Sequence, residues 1–354
     1  MTPLEFDSIH GGAPAGSSLI DFSVSLNPLG PPPQVIAAYH QAAADLGAYP
    51  DPHAATLAAA LAKHLGVAPS MVLAGAGSTQ LLYLIARVLH PARPVVVIPT
   101  FSEIANGLIA AGAVPQELTL PAANSFAFDQ EAFEIALLEG ADALFAGRPN
   151  SPTGTLLTAN QCMEIAAGCA AHDCWCVFDE AFIEFAEDSW STVALIESHP
   201  RVIVTRSLTK LYAVPGLRLG YAVAQPAVIA ELSRGLEPWA VSAPALAAGL
   251  ACLELPAEWH ALMRETVAAE REYLVTSLAM PQAIELIPSQ ANFLMLRAEE
   301  EPTRKLGDYL RENGLLIRDL TTMAGAGPGW YRIGIRRHAD NQRLVEVVQT
   351  YFRR

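Results

Sequence analysis

Five short apolar runs recur along the middle of the chain, and they constrain its fold more than any other feature. They lie at residues 95–98, 143–146, 174–178, 202–205 and 220–224. Helix-forming stretches fall between several of them, near 79–89, 102–111, 129–138, 159–171 and 226–235. A strand that is apolar on both faces has to be covered on both. Such strands, separated by helices, predict a mostly parallel sheet flanked by helices. With 354 residues, 52% hydrophobic and 16% charged, the chain can fill that core and a second, smaller one.

The texture changes on either side of this block. Residues 1–35 are rich in Gly, Pro and Ser, with a short strand-like piece at 19–22, and read as an arm laid over a surface. Residues 54–65 read as a helix stopped by Gly66. Beyond about residue 240 a long helical region, 243–279, leads to a strand at 292–297 and a helix at 302–313. Strands at 315–318 and 331–335 and a last helix at 339–352 follow. This is an α+β pattern. The expected organisation is an N-terminal arm (1–35) that contributes to the small domain and the active site, a large α/β domain (36–240), and a small C-terminal α+β domain (241–354).

Charge and cysteine content exclude several classes. A formal charge of −14 argues against a sequence-independent nucleic-acid binder, which needs a basic face. Local arginines can still hold an anionic small molecule. Five cysteines, an odd number, fit a reduced cytoplasmic protein. Cys174-Trp-Cys176 reads as part of a buried strand, its spacing unlike usual zinc patterns, so no metal is expected. The N-terminus lacks a basic segment followed by an apolar one, and no apolar run reaches the ~18 residues a membrane span needs.

In open α/β sheets, ligands sit beyond the carboxyl ends of the strands. The segments there carry the polar residues: Pro99-Thr-Phe101, Gly147 to Gly154, Asp179 to Phe182, and Arg206-Ser-Leu-Thr-Lys210. Gly75-Ala76-Gly77-Ser78-Thr79 precedes a helical run, an arrangement that suits an anion and equally an ordinary glycine turn. Asp179, at a strand end, is placed either to face a ligand or to cap the next segment. Lys210 sits just past a buried strand beside small hydroxyl residues. Arg218 is flanked by apolar residues, which favours a paired or anion-holding guanidinium.

The set Pro149-Asn-Ser-Pro-Thr-Gly154, Asp179-Glu-Ala-Phe182, Ser207-Leu-Thr-Lys210 and Pro215-Gly-Leu-Arg-Leu-Gly220, in this order, resembles the class I/II aminotransferases of the fold-type I pyridoxal-phosphate enzymes. The resemblance covers essentially the whole chain. It implies the aspartate-aminotransferase fold, with 36–240 as the pyridoxal-phosphate-binding domain. It implies Lys210 as the residue that attaches pyridoxal 5′-phosphate and Asp179 as the partner of its ring nitrogen. Phe101 would stack on the ring, and Ala76, Gly77, Ser78, Ser207 and Arg218 would cup the phosphate. Tyr49 would reach the neighbouring subunit's cofactor, which implies a homodimer with shared active sites. The sequence departs from the pattern where the family has Asn before Pro-Thr-Gly: this position is Ser151, and Asn150 precedes it. Both are candidates for the ring-oxygen contact. Phe182 stands where the family commonly has Tyr.

Two branches of the family share these motifs, the threonine-phosphate decarboxylases and the histidinol-phosphate aminotransferases. His10-Gly-Gly12, Asp21 to Gly30, Phe182 and Pro238-Trp-Ala-Val-Ser242 look like the decarboxylase branch. That resemblance implies that His10, Asn27 and Arg318 hold a substrate phosphate and Arg332 its carboxylate. The expected substrate is thus a small phosphorylated amino acid. Both reactions need the same groups, because the protein chooses between them by how it orients the substrate. A non-catalytic pyridoxal-phosphate-binding module is the alternative from another class.

Overall fold

The computed structural model describes residues 10–14, 16–44, 46–299 and 305–353. The large sheet has seven strands, in the spatial order Val72–Gly75, Gly220–Val223, Val202–Ser207, Trp175–Asp179, Ala143–Gly147, Pro94–Ile98, Gln116–Thr119. Gly220–Val223 runs against both of its neighbours, and the other six strands run the same way.

Successive side chains of a strand point to opposite faces, and here each face has its own core. Val95, Val97, Leu144, Cys176, Phe178, Val202 and Val204 join one cluster. Val96, Ala143, Phe145, Val177 and Ile203 join the other. The second face is covered by the helices Ser78–Leu89, Ser102–Ala110 and Pro226–Gly235. The first face is covered by Ala55–Leu65, Gln130–Leu138, Ala159–Ala171 and Ala243–Leu253. This two-sided burial is why the strands read as unbroken apolar runs.

A second sheet is wholly antiparallel, in the order Arg318–Asp319, Trp330–Gly334, Phe293–Ala298, Ile284–Ile287. The helices Leu306–Glu312 and His338–Phe352 contribute Leu306, Leu310, Leu344 and Val348 to the core beside it. The N-terminal arm is bound to this end of the molecule. Ile20–Asp21 pairs in parallel with Leu315–Leu316, and Gly334 donates its N–H to the Phe22 carbonyl at 2.7 Å.

Several sequence expectations are corrected. The helical region 243–279 is two helices, Ala243–Leu253 and Ala257–Ser277, because Pro256 cannot continue the first and starts the second. The segment 315–318 is two strands serving different sheets. The helix expected at 302–313 is observed from Leu306, and residues 300–304 lie outside the described residues. The strands Val72–Gly75, Gln116–Thr119 and Ile284–Ile287 and the helix Pro33–Ala43 were not anticipated. Among the described residues, no helix is long and apolar enough to cross a membrane.

Candidate active site

Five of the six strands that run the same way, Val72–Gly75, Pro94–Ile98, Ala143–Gly147, Trp175–Asp179 and Val202–Ser207, end on one rim. Gly220–Val223, running the other way, begins there, which brings Arg218 to the same place. A cleft of about 420 Å³ opens at this rim between the sheet and the N-terminal arm. Lys210, Asp179, Phe101, Arg218 and Arg332 line it. A larger cavity of about 600 Å³, lined by Phe126, Phe128, Glu187 and Gln290, has no cationic side chain in its wall among the described residues and does not suit an anionic cofactor.

One end of the cleft is built for a phosphate. The helix Ser78–Leu89 starts there, with Gly77 at its N-cap and no side chain capping it. Its first-turn N–H groups have no partners within the helix, and its N-terminal field favours an anion. Gly77 has φ +94, and a Cβ there would lie 2.9 Å from Nη2 of Arg218. Any side chain would therefore displace the guanidinium. At Gly220 a Cβ would lie 2.3 Å from the Ser78 nitrogen, so the antiparallel strand needs its glycine to pass this close. The Ser207 and Thr209 hydroxyls lie 2.7 Å apart beside this group. Backbone N–H groups, hydroxyls and a guanidinium form a donor set that fits the phosphate of pyridoxal phosphate. Ala76 lies outside the lining, and its N–H donates to Gln80 Oε1 at 2.7 Å.

Lys210 and Asp179 occupy the floor. Burial, aided by Arg332 and Arg218, pushes the Lys210 ammonium down to about 8, while Asp179 pulls the other way. The Lys210 Nζ lies 5.8 Å from the centre of the Phe182 ring. Asp179 is the last residue of its strand, in register with Thr205 on the next strand. Thr205 donates its hydroxyl to Asp179 Oδ1 at 3.0 Å. Burial raises the Asp179 carboxyl to about 6, against the pull of Thr205, the Ala181 N–H and Lys210.

The displaced Lys210 makes a kinetic prediction. Attachment to a carbonyl needs the neutral amine, whose fraction grows with pH until the amine is deprotonated. Cofactor uptake by the cofactor-free protein, followed by absorbance, should rise about tenfold from pH 6 to 7 and level off above about 8. A rate still rising at pH 10 would describe an ordinary solvated lysine and contradict this placement.

On the opposite face of these strand ends lies a buried ionic group. Arg148, Glu180 and Arg206 each neighbour a rim residue in sequence, and the pleat turns them away from it. Glu180 is fully buried; it accepts from Arg206 Nε at 3.1 Å and Nη2 at 2.9 Å, Ser191 Oγ at 2.6 Å, and the Thr192 nitrogen at 2.7 Å. Arg148, also fully buried, lies 3.7 Å from Glu180 Oε1 and donates to the Trp190 carbonyl. Removing the acid leaves the buried Arg148 guanidinium without a carboxylate and Arg206 with Glu184 alone, at 3.4 Å. Glu180→Ala should cost about 3–5 kcal/mol of folding stability in a denaturant titration. A cost under about 1 kcal/mol would show that the group is solvated.

The arm closes the other side. His10, Ser23 and Ser25 line the cleft, and Arg332 reaches in from the small sheet. Arg332 donates from Nη1 to Ser151 Oγ and from Nη2 to the Ser23 carbonyl, both at 2.9 Å. Burial, then the charge of Arg318, lowers Arg332 to about 10. Arg318 is buried opposite Arg332 on the adjacent strand and lies outside the lining. Ser151 lines the cleft; Asn150 does not. The Asn150 amide donates to the Pro99 carbonyl and Thr153 and accepts from Thr100. Asn27 is also outside the lining; it donates to the Leu211 carbonyl at 2.8 Å and ties the arm to the Lys210 segment. Tyr49 is 85% exposed, packs against Trp239 with ring centres 5.1 Å apart and planes tilted by 42°, and stays out of its own chain's cleft.

Sequence reasoning missed Thr205, Glu103 and Ser25. Thr205 lies two residues before Ser207, hence on the same strand face, so the strand periodicity was a usable signal. Glu103 and Ser25 offered none.

A family model described as aminotransferase class I and II matches residues 17–348. A threonine-phosphate decarboxylase from Salmonella typhimurium is 34% identical over 358 residues, covering 97% of this chain and 96% of that protein. A histidinol-phosphate aminotransferase from Symbiobacterium thermophilum is 32% identical over 333 residues, covering 94% and 90%. The crystal structure of histidinol-phosphate aminotransferase from Sinorhizobium meliloti in complex with pyridoxal-5′-phosphate superimposes with a TM-score of 0.81. It is 26% identical and covers 93% of this chain and 90% of that one.

Proposed function

We propose, from the premise that this chain belongs to the class I and II aminotransferase family, that it decarboxylates O-phospho-L-threonine to 1-amino-2-propanol O-phosphate in cobalamin biosynthesis. The chain is a pyridoxal-phosphate-dependent enzyme. Bound there, the cofactor supplies an electron sink for the pair left at Cα when one of its bonds breaks.

The protein's own groups do the rest. Ser78, Thr79, Ser207 and Arg218 would hold the cofactor phosphate, Phe101 would pack on its ring, and Asp179 would pair with the ring nitrogen. Ser151 is the candidate for the ring oxygen. Arg332, fixed by Ser23 and Ser151, takes the substrate carboxylate. Lys210, at about 8, carries a proton through much of the neutral range and delivers it to Cα once CO₂ has left. The observation that carries the substrate reading is the presence of His10 and Arg332 in the same cleft, on the arm side, in addition to the phosphate cradle at Arg218. A substrate with two anionic groups suits both. The exposed Tyr49 is available to a second copy of the chain, which supports a homodimer with shared sites.

The histidinol-phosphate aminotransferase reading draws on the relative at 32% identity and uses the same groups. Two parallel assays separate the readings. Holoenzyme given O-phospho-L-threonine is expected to release CO₂. Holoenzyme given glutamate and imidazole-acetol phosphate is expected to transfer little amino group. The reverse pair of results sinks the decarboxylase reading.

A further inference from the structure

Where the N-terminal arm crosses the cleft it makes one ion pair, between His10 Nε2 and Glu103 Oε1 at 3.1 Å. Glu103 lies in the first turn of Ser102–Ala110, lines the cleft, and is only 13% exposed. A carboxylate there opposes the purpose of a cleft built around Lys210, Arg218 and Arg332, because it repels an incoming anion. Something has to hold it and make use of it.

Both of its oxygens receive donors. Tyr83 donates its hydroxyl to Oε2 at 2.6 Å, and Asn106 donates from Nδ2 to Oε1 at 2.9 Å. Burial, with the bond to Glu103, pushes the Tyr83 hydroxyl up to about 12, so Tyr83 stays a donor to the Glu103 carboxylate. A carboxylate held this way favours a proton on the imidazole nitrogen facing it and fixes the ring's orientation. That occupies Nε2 of His10. Among the described residues, Nδ1 has no partner. The His10 side chain is half-exposed to the cleft mouth, with its ring 6.4 Å from that of Phe101.

We propose that Glu103 is a positioning residue: it fixes the His10 ring through Nε2 and leaves Nδ1 for the anionic side chain of the substrate, so that the ring bridges the two anions once the ligand is bound, and so selects phosphorylated amino acids over plain ones. This rests on the substrate reading above.

The test uses protein loaded with pyridoxal phosphate. O-phospho-L-threonine and L-threonine are mixed separately with the protein in a rapid-mixing instrument, and binding is read from the visible absorbance of the cofactor before turnover. The measured quantity is the ratio of the two half-saturating concentrations. In the wild type the phosphorylated ligand binds at the lower concentration. Glu103→Gln should cut that preference about tenfold, as expected for a lost charge-assisted hydrogen bond. His10→Ala, at an exposed position, should cut it about as much, and the double variant no further, since the two act as one unit. If Glu103→Gln fails to fold, Glu103→Asp, which withdraws the charge from His10, should lower the ratio and is read in the same way. An unchanged ratio in the Glu103 variant, or additive losses in the double, overturns the inference while leaving the substrate reading intact. A wild type with no preference removes the substrate reading, and the inference with it.

Discussion

Lys210→Ala protein is expected to lose the visible absorbance of covalently held cofactor and to lose turnover by at least about 10³-fold, the scale of a missing nucleophile and proton carrier. The expectation follows from how the residue is placed. It sits in the short helix Leu208–Leu211 directly after the strand Val202–Ser207, so its backbone is held by the sheet and its side chain enters the cleft floor. Burial and the neighbouring Arg332 and Arg218 bring its amine to about 8, where neutral and protonated forms are both populated near neutrality. Among the described residues, no other lysine lines the cleft. Lys210→Arg should fail equally, because it restores the charge without a nucleophile. A variant that keeps the absorbance band would place cofactor attachment elsewhere and undo the assignment.

Asp179→Asn is expected to have opposite effects on catalysis and on folding. Turnover should fall about 10²–10³-fold, since the amide cannot neutralise a protonated ring nitrogen and the electron sink weakens. The cofactor-free protein should become more stable. The carboxyl has its ordinary value of 3.8 in the unfolded chain and about 6 in the fold, chiefly because burial penalises the charge. A raised folded-state value means that stability is lost as pH climbs from about 4 to about 6, after which the full cost persists. At about 1.4 kcal/mol per pH unit the cost approaches 3 kcal/mol at pH 7, and Asp179→Asn relieves it. Thermal unfolding of the cofactor-free variant against wild type at pH 7 reads this directly. A variant that is both inactive and destabilised would show that Asp179 is held by its hydrogen bonds to Thr205 and Ala181 more strongly than burial opposes it.

The readable part of this fold was the part buried on both faces. Pro94–Ile98, Ala143–Gly147, Trp175–Asp179, Val202–Ser207 and Gly220–Val223 announce themselves because neither side of each strand meets water. Gln116–Thr119 was missed for the converse reason. It is an edge strand with Gln116, Glu117 and Thr119 exposed, and only Leu118 points inward. Val72–Gly75 was hidden by its shortness, running straight into the glycine turn that follows. The break at Pro256 was visible in principle; the helical composition on both sides outweighed it. In the site, the residues in local motifs, Lys210, Asp179, Ser207 and Arg218, could be found because strand ends and glycines mark them. His10 and Glu103 meet only because the arm is pinned to the second sheet through Ile20–Asp21 and Phe22. No local pattern records a contact made by that route. Asn150 and Ser151 stood level in the sequence; the neighbours Thr100, Pro99 and Thr153 absorb the Asn150 amide and leave Ser151 at the cleft.

One measurement tests the central claim most directly. Holoenzyme is mixed with O-phospho-L-threonine labelled in its carboxyl carbon, in deuterated water, and the fate of the label is followed. The account predicts label leaving as CO₂ in step with substrate loss, and 1-amino-2-propanol O-phosphate carrying one deuterium at the former Cα. Label retained in a keto acid, with the amino group left on the enzyme and passed on to an acceptor, would contradict it.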